Sequence, residues 1–184
     1  MRKLGIVVTA VACLTVLVVP ATAMNWSIGG NLGYEMLMPT DEGAEDVSIF
    51  GWPTGGLRLG LVGEKPMHEV YLLSSVSVMS SGGESVSAYD LTANYQYNFD
   101  SKGQIAPFVT AGAGIQGVCL GDDLSATSVL YGAGVGVRKK LGQQGALRAE
   151  VRFDRNMEGK KGEDVLIGEA NHISLRLGFD LWGK

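Results

Sequence analysis

The chain has 184 residues, is 46% hydrophobic with 27 glycines, and carries a formal net charge of −4. That acidic balance argues against nucleic acid as a partner, since a polyanion needs a basic face. Two cysteines, Cys13 and Cys119, are too few for a cysteine-based metal site or a disulfide framework.

The first 23 residues read as a secretory signal peptide. Arg2 and Lys3 give a basic start, Leu4 to Val19 are almost uncharged and apolar, and Ala21-Thr22-Ala23 supply a small-residue cleavage site. An uncleaved anchor is the alternative, but the apolar run falls just short of the roughly 17 residues needed to span a bilayer. The expected division is therefore residues 1–23 as leader and 24–184 as one domain. Cleavage removes Arg2, Lys3 and Cys13, which leaves a more acidic mature chain with Cys119 alone. No later apolar run reaches helical spanning length, so any membrane crossing must be made by strands.

From Asn25 onward period two replaces period 3.6, and it recurs eight times. A first strand, Asn25–Leu37, sets Trp26, Ile28, Leu32, Tyr34 and Met36 against Ser27, Gly29, Asn31, Gly33 and Glu35. A second, near Leu57–Leu61, alternates leucines with Arg58 and Gly60. A third, His68–Met79, sets Val70, Leu72, Val76 and Val78 against Glu69, Tyr71, Ser75 and Ser77. A fourth, Tyr89–Phe99, opposes Tyr95 and Tyr97 to Asp90, Thr92, Asn94 and Gln96. A fifth, Ala106–Val118, alternates Val109, Ala111 and Ala113 with Phe108, Thr110 and Gly112. A sixth, Ser128–Arg138, alternates valines and alanine with glycines. A seventh, Leu147–Asp154, sets Leu147, Ala149, Val151 and Phe153 against Arg148, Glu150, Arg152 and Asp154. The eighth, His172–Trp182, sets Ile173, Leu175, Leu177, Phe179 and Leu181 against His172, Ser174, Arg176, Gly178 and Asp180.

Ten-residue alternating segments in even number predict an all-β, eight-stranded, antiparallel up-and-down transmembrane barrel. Connection lengths agree. GEKP, DSKGQ and LGQQG are short, whereas Met38–Gly55 and Arg155–Asn171 are long. Short turns at one end and long loops at the other place both termini on the periplasmic side of an outer membrane.

A soluble barrel would bury the apolar face, whereas a membrane barrel shows it to lipid. The polar face decides, because strands five and six fill it with Gly, Ser and Thr, which suit a crowded interior rather than a wet surface. Its charges also come in both signs: Arg58, Asp90, Arg138, Arg148, Glu150, Arg152, Asp154, Arg176 and Asp180. Such groups tolerate burial when paired. We expect Arg148, Glu150, Arg152, Arg176 and Asp180 to interlock as a plug. Trp26, Tyr97, Phe99 and Trp182 are expected as one aromatic girdle and Tyr34 and Tyr89 as the other, all on the apolar face.

The segment YQYNFDSKGQIAPFVTAGAGIQG, residues 95–117, and the later GAGVGVRKKLG, residues 132–142, resemble the small outer-membrane barrels that include the OmpA transmembrane domain and the opacity-type proteins. The resemblance implies an outer-membrane location, lipid and lipopolysaccharide as surroundings, and assembly through machinery that reads the last strand. Members usually end on an aromatic residue, whereas Gly183 and Lys184 follow Trp182 here.

Candidates for chemistry are few. His172-Ile173-Ser174 has the H-x-S form of barrel lipid A deacylases, but no later strand supplies an acidic partner, and period two points both groups into the lumen. Polar filling is the better reading. His68, beside a short turn, reads as a solvated rim residue. The acidic stretch Asp41, Glu42, Glu45 and Asp46, and the pair Asp122-Asp123, match no calcium-loop spacing. Lys160 and Lys161 could meet lipopolysaccharide phosphates but sit among acids. No cofactor is expected. The function expected is a monomeric, non-enzymatic barrel with a plugged polar lumen, structural or surface-interacting through its loops. A narrow pore or carrier is the alternative, and a lipid-modifying enzyme comes third. N-terminal sequencing of the membrane-bound protein should begin at Met24; a chain still carrying Leu4–Val19 would overturn the leader assignment.

Overall fold

The computed structural model describes residues 25–40, 45–51, 56–63, 68–81, 84–99, 104–120, 124–161 and 164–183. Eleven strands are present among them: β1 (Asn25–Pro39), β2 (Val47–Gly51), β3 (Leu57–Val62), β4 (His68–Ser81), β5 (Glu84–Asn98), β6 (Ile105–Leu120), β7 (Leu124–Leu141), β8 (Gly145–Asn156), β9 (Gly159–Lys161), β10 (Asp164–Ile167) and β11 (Ala170–Gly183). Neighbours pair antiparallel in chain order, and β11 closes the sheet on β1 from Trp26↔Gly183 to Pro39↔Ala170. Closure removes the open sheet edges that an outward apolar face could not tolerate.

The barrel has eight staves because β2 and β3 share one. β3 pairs with the lower half of β1 and β2 with its upper half, Gly33↔Gly51 to Leu37↔Val47. The sequence reading placed Val47–Gly51 in a loop. Two short strand pieces separated by Pro53 and two glycines, Gly55 and Gly56, hide the alternation that a continuous strand would show. The stretch read as a second long loop likewise contains the β9–β10 hairpin, too short to register as periodic.

One barrel end carries the short turns together with Asn25 and Gly183, and is called the turn end. The other carries the longer connections and is called the loop end. Within each stave the alternation sorts side chains as period two requires. Leu147, Val151, Phe153, Ile173, Leu175, Leu177, Phe179 and Leu181 are exposed on the outside, while Arg148, Glu150, Arg152, Asp154, His172, Ser174, Arg176 and Asp180 are buried within. From Ile173 to Leu181 the outward row runs about 26 Å along the strand, or about 20 Å of height at a usual barrel tilt. That length matches an apolar belt for hydrocarbon. The described residues contain no helix long and apolar enough to cross a membrane, so the strands alone present this belt.

Tight interior packing explains the glycines. A Cβ on Gly136 would strike the Phe108 ring, and one on Gly178 would strike the Asn31 amide. Glycine is required wherever a large lumen side chain leans on the neighbouring stave. The Val151→Arg variant, in mid-belt on β8, should lose about 2–4 kcal/mol of stability in lipid vesicles. A neutral result in reversible urea unfolding would contradict a hydrocarbon-facing row.

Candidate functional site

The interior is a charged lumen in three tiers. At the turn end, β3, β4, β7 and β11 each contribute one charge, and the four charges close a ring. Arg58 Nη2 lies 2.6 Å from Glu69 Oε1, and Arg138 Nη2 lies 2.7 Å from Glu69 Oε2 and 2.9 Å from Asp180 Oδ2. Arg58 Nη1 to Asp180 Oδ1, at 3.5 Å, completes the circuit. All four side chains are buried. Ser27 Oγ donates to Glu69, Arg58 Nη2 donates to Gln96, and Gln96 donates to Asn98. Signs alternate around the ring, so each charge has an opposite neighbour on both sides. Buried ions need this kind of compensation.

The middle tier is aromatic. The Arg58 guanidinium lies 3.6 Å from the centre of the Tyr71 ring, and the Tyr71 hydroxyl meets Thr110 Oγ1 at 2.9 Å. Phe108 is fully buried in the lumen, its ring facing Gly136. Arg148 donates from Nη2 to Asn31 and makes no ion pair among the described residues.

The upper tier is a second network. Arg152 Nε donates to both oxygens of Asp154, at 2.7 and 2.9 Å, and Arg176 Nη2 donates to Asp154 Oδ2 at 3.2 Å. Glu150 lies 3.8 Å from Arg152. Asp90 accepts from Ser75 and makes no ion pair within this tier. Glu35, Asp90, Gln116, Arg152, His172 and Arg176 line a cavity of about 50 Å³ here. Arg152 Nη1 and Arg176 Nε have no hydrogen-bond partner in the protein. A polar space of this size holds a few waters, which would satisfy them.

The charges expected in the lumen thus all face it, but their grouping differs from the expected plug. Asp180 joins Arg58 and Arg138 rather than the Arg152 network, and Arg148 meets an amide instead of a carboxylate. Register is the reason: Asp180 sits opposite Gly29 on β1, the level of Arg58, far below Asp154. Glu69 is the centre of the lower ring and was overlooked. It stood on the polar phase of its strand in the sequence but was not counted among the lumen charges.

Trp182 requires a correction. It shares parity with Asp180 and Arg176, so it belongs to the lumen row, and its ring lies 5.4 Å from the Arg138 guanidinium. Trp26 and Phe99 are exposed on the outside at the turn end. Tyr97 stacks edge-on between Phe99 and His68, at 5.1 and 5.3 Å. His68 also meets the Tyr95 hydroxyl at 2.6 Å, so it is part of an aromatic cluster and not a solvated rim group. Toward the loop end, exposed Tyr34 bonds Ser48 at 2.8 Å and Tyr89 meets Thr127 at 3.2 Å.

His172 does not serve Ser174. Its two nitrogens meet Glu35 and Asn156, while Ser174 Oγ has no hydrogen-bond partner. Among the described residues no group of three or more His, Cys, Asp or Glu is placed to hold a metal ion. Asp41, Glu42, Asp122 and Asp123 lie outside those residues.

No protein-family model matches the chain, and no curated protein matches it in sequence. Solved structures do match. Neisserial surface protein A superposes with a TM-score of 0.65 at 13% identity, covering 86% of this chain and 98% of that one. Ail, the attachment invasion locus protein of Yersinia pestis, gives 0.50 at 15% identity, covering 87% and 97%. The fold is that of the small outer-membrane barrels.

Removing Glu69 leaves Arg58 and Arg138 facing each other with only Asp180 between them. The Glu69→Ala variant should lose about 3 kcal/mol, and pairing it with Arg138→Met should recover part of that loss. Strictly additive losses in urea unfolding would show that the ring is not coupled.

Proposed function

We propose that the chain is a non-enzymatic outer-membrane barrel with the turn end in the periplasm. Its closed lumen makes the barrel a structural support, and its outer loops carry whatever surface interaction it makes. The observation that carries this reading is the filled interior. Compensated charges and two buried aromatic rings occupy the space of an eight-stranded barrel, which is only wide enough for side chains. The two neighbouring structures support the location through their fold.

Charge supports the same orientation. The loop-end connections carry Asp41, Glu42, Glu45, Asp46, Asp122, Asp123, Glu163 and Asp164 against Arg155, Lys160 and Lys161, whereas the turn end carries Lys65, Lys102, Lys139 and Lys140 against Glu64 and Asp100. An acidic outer rim disfavours polyanionic partners and suits basic ones. Among the described side chains at the loop end, Arg155 is bound by Glu169 at 2.6 Å and Lys160 by Glu158 at 2.9 Å, which leaves neither free for lipopolysaccharide phosphates. Lipid contact is therefore assigned to the apolar belt, and assembly to the alternating β11 that closes it.

A pore reading has one observation in its favour, the upper cavity. None of the residues lining that cavity belongs to the lower ring. Purified protein in planar bilayers should conduct little, and the double variant Arg58→Ala/Arg138→Ala should conduct more. The wild-type protein should fractionate with the outer membrane and migrate differently on a denaturing gel before and after heating. A steady wild-type conductance unaffected by those substitutions would replace the plug with a pore.

A further inference from the structure

The plug's ion pairs leave one buried group unexplained. His172, toward the loop end of β11, places Nδ1 2.5 Å from Glu35 Oε1 on β1 and Nε2 2.6 Å from Asn156 Oδ1 on β8. Both nitrogens face oxygen. A neutral imidazole has one N–H and one lone pair, so it can serve only one of two acceptors.

The amide of Asn156 is held in its orientation. Its Nδ2 donates to Met157 O at 3.1 Å and to Gly168 O at 2.7 Å. Those carbonyls stand on either side of the β9–β10 hairpin, at its base. Oδ1 must therefore face His172, and Nε2 must donate to it. Nδ1 then confronts a carboxylate oxygen, and that contact requires a further proton between them, carried either by the imidazole or by Glu35. Other charged groups nearby are already committed or lie elsewhere. Asp154, level with His172 on β8, is held by Arg152 and by Arg176 of β11, and Asp90 on β5 is bonded to Ser75.

We propose that Glu35, His172 and Asn156 form a proton-dependent latch between the barrel wall and the base of the outer hairpin. With the shared proton present, β1, β11, β8 and both feet of the hairpin form one hydrogen-bonded chain. When that proton leaves to water, one contact must break. If the remaining proton stays on Nδ1, Nε2 presents a lone pair to Oδ1. Asn156 then turns its amide toward the ring, and the Met157 and Gly168 carbonyls lose their donor. If it stays on Nε2, the imidazole and the Glu35 carboxylate repel, and the hairpin loses its tie to β1. The hairpin is tightened by acid and loosened by base. Arg155 and Thr40, both bonded to Glu169, keep it attached in either state.

The test places a nitroxide on exposed Val165 of the hairpin, through Val165→Cys in a Cys13→Ser/Cys119→Ser background, with the full chain folded in lipid vesicles. Label mobility is compared at about pH 5.5 and about pH 8.5, a range across which an imidazole can change charge. The wild-type trio should give low mobility at the lower pH and higher mobility at the upper. In Glu35→Gln the amide donates to a neutral Nδ1, so both contacts survive without the extra proton and mobility should stay low at both. Asn156→Asp keeps an acceptor for Nε2 but has no donor for the two carbonyls, so mobility should be high at both. Equal mobility in the wild type at the two values would overturn the latch, as would an undiminished pH response in either variant. Heat-modifiable migration verifies that each variant is folded.

Discussion

Five guanidinium groups lie buried inside a ring of eight staves, and the rest of the molecule is arranged around that fact. An isolated buried cation is intolerable in so narrow an interior, so each needs an acceptor; Arg152 finds Asp154 and Glu150 on its own strand, and the other four find theirs on another. Meeting that need ties distant parts of the chain together. The ring of Arg58, Glu69, Arg138 and Asp180 draws partners from β3, β4, β7 and β11. A slip of one residue in any of those staves would turn its charge out into lipid and leave the others without compensation. The electrostatics of the lumen therefore specify register as strongly as the apolar belt does, and from the opposite face.

Much of this was legible because period two is a local signal. Eight alternating segments, the sign mixture on their polar face and the alternation of short and long connections required only neighbouring residues to read. What was lost needed information across staves. Glu69 and Asp180 are 111 positions apart and meet through Arg138, a juxtaposition that depends on the barrel's stagger. Trp182 shows a different failure, since its expected place on the apolar face followed from its aromatic character against the parity of its own strand. Parity was the better guide. The short pieces β2, β9 and β10 escaped because three to five residues are too few to establish a period.

The interior also shows why glycine is frequent without being flexible here. Gly136 faces Phe108 and Gly178 faces Asn31, so each large lumen group rests on a bare backbone opposite. The composition that looked like weak strand propensity is a volume constraint imposed from across the sheet. Its signature in the sequence was the concentration of glycines on the polar phase of β6 and β7, where an exposed surface would have carried Lys or Glu.

The two ionic tiers differ in a way that bears on function. In the lower ring two arginines face two carboxylates, signs alternate, and every charge touches two opposite ones. The upper tier has carboxylates beyond what its arginines engage, with Glu35 served by an imidazole and Asp90 by a hydroxyl. Beside the lower ring stands Tyr71, its ring 3.6 Å from the Arg58 guanidinium and 5.9 Å from that of Arg148. The carboxylates without an arginine partner lie toward the loop end, where the proposed latch is placed.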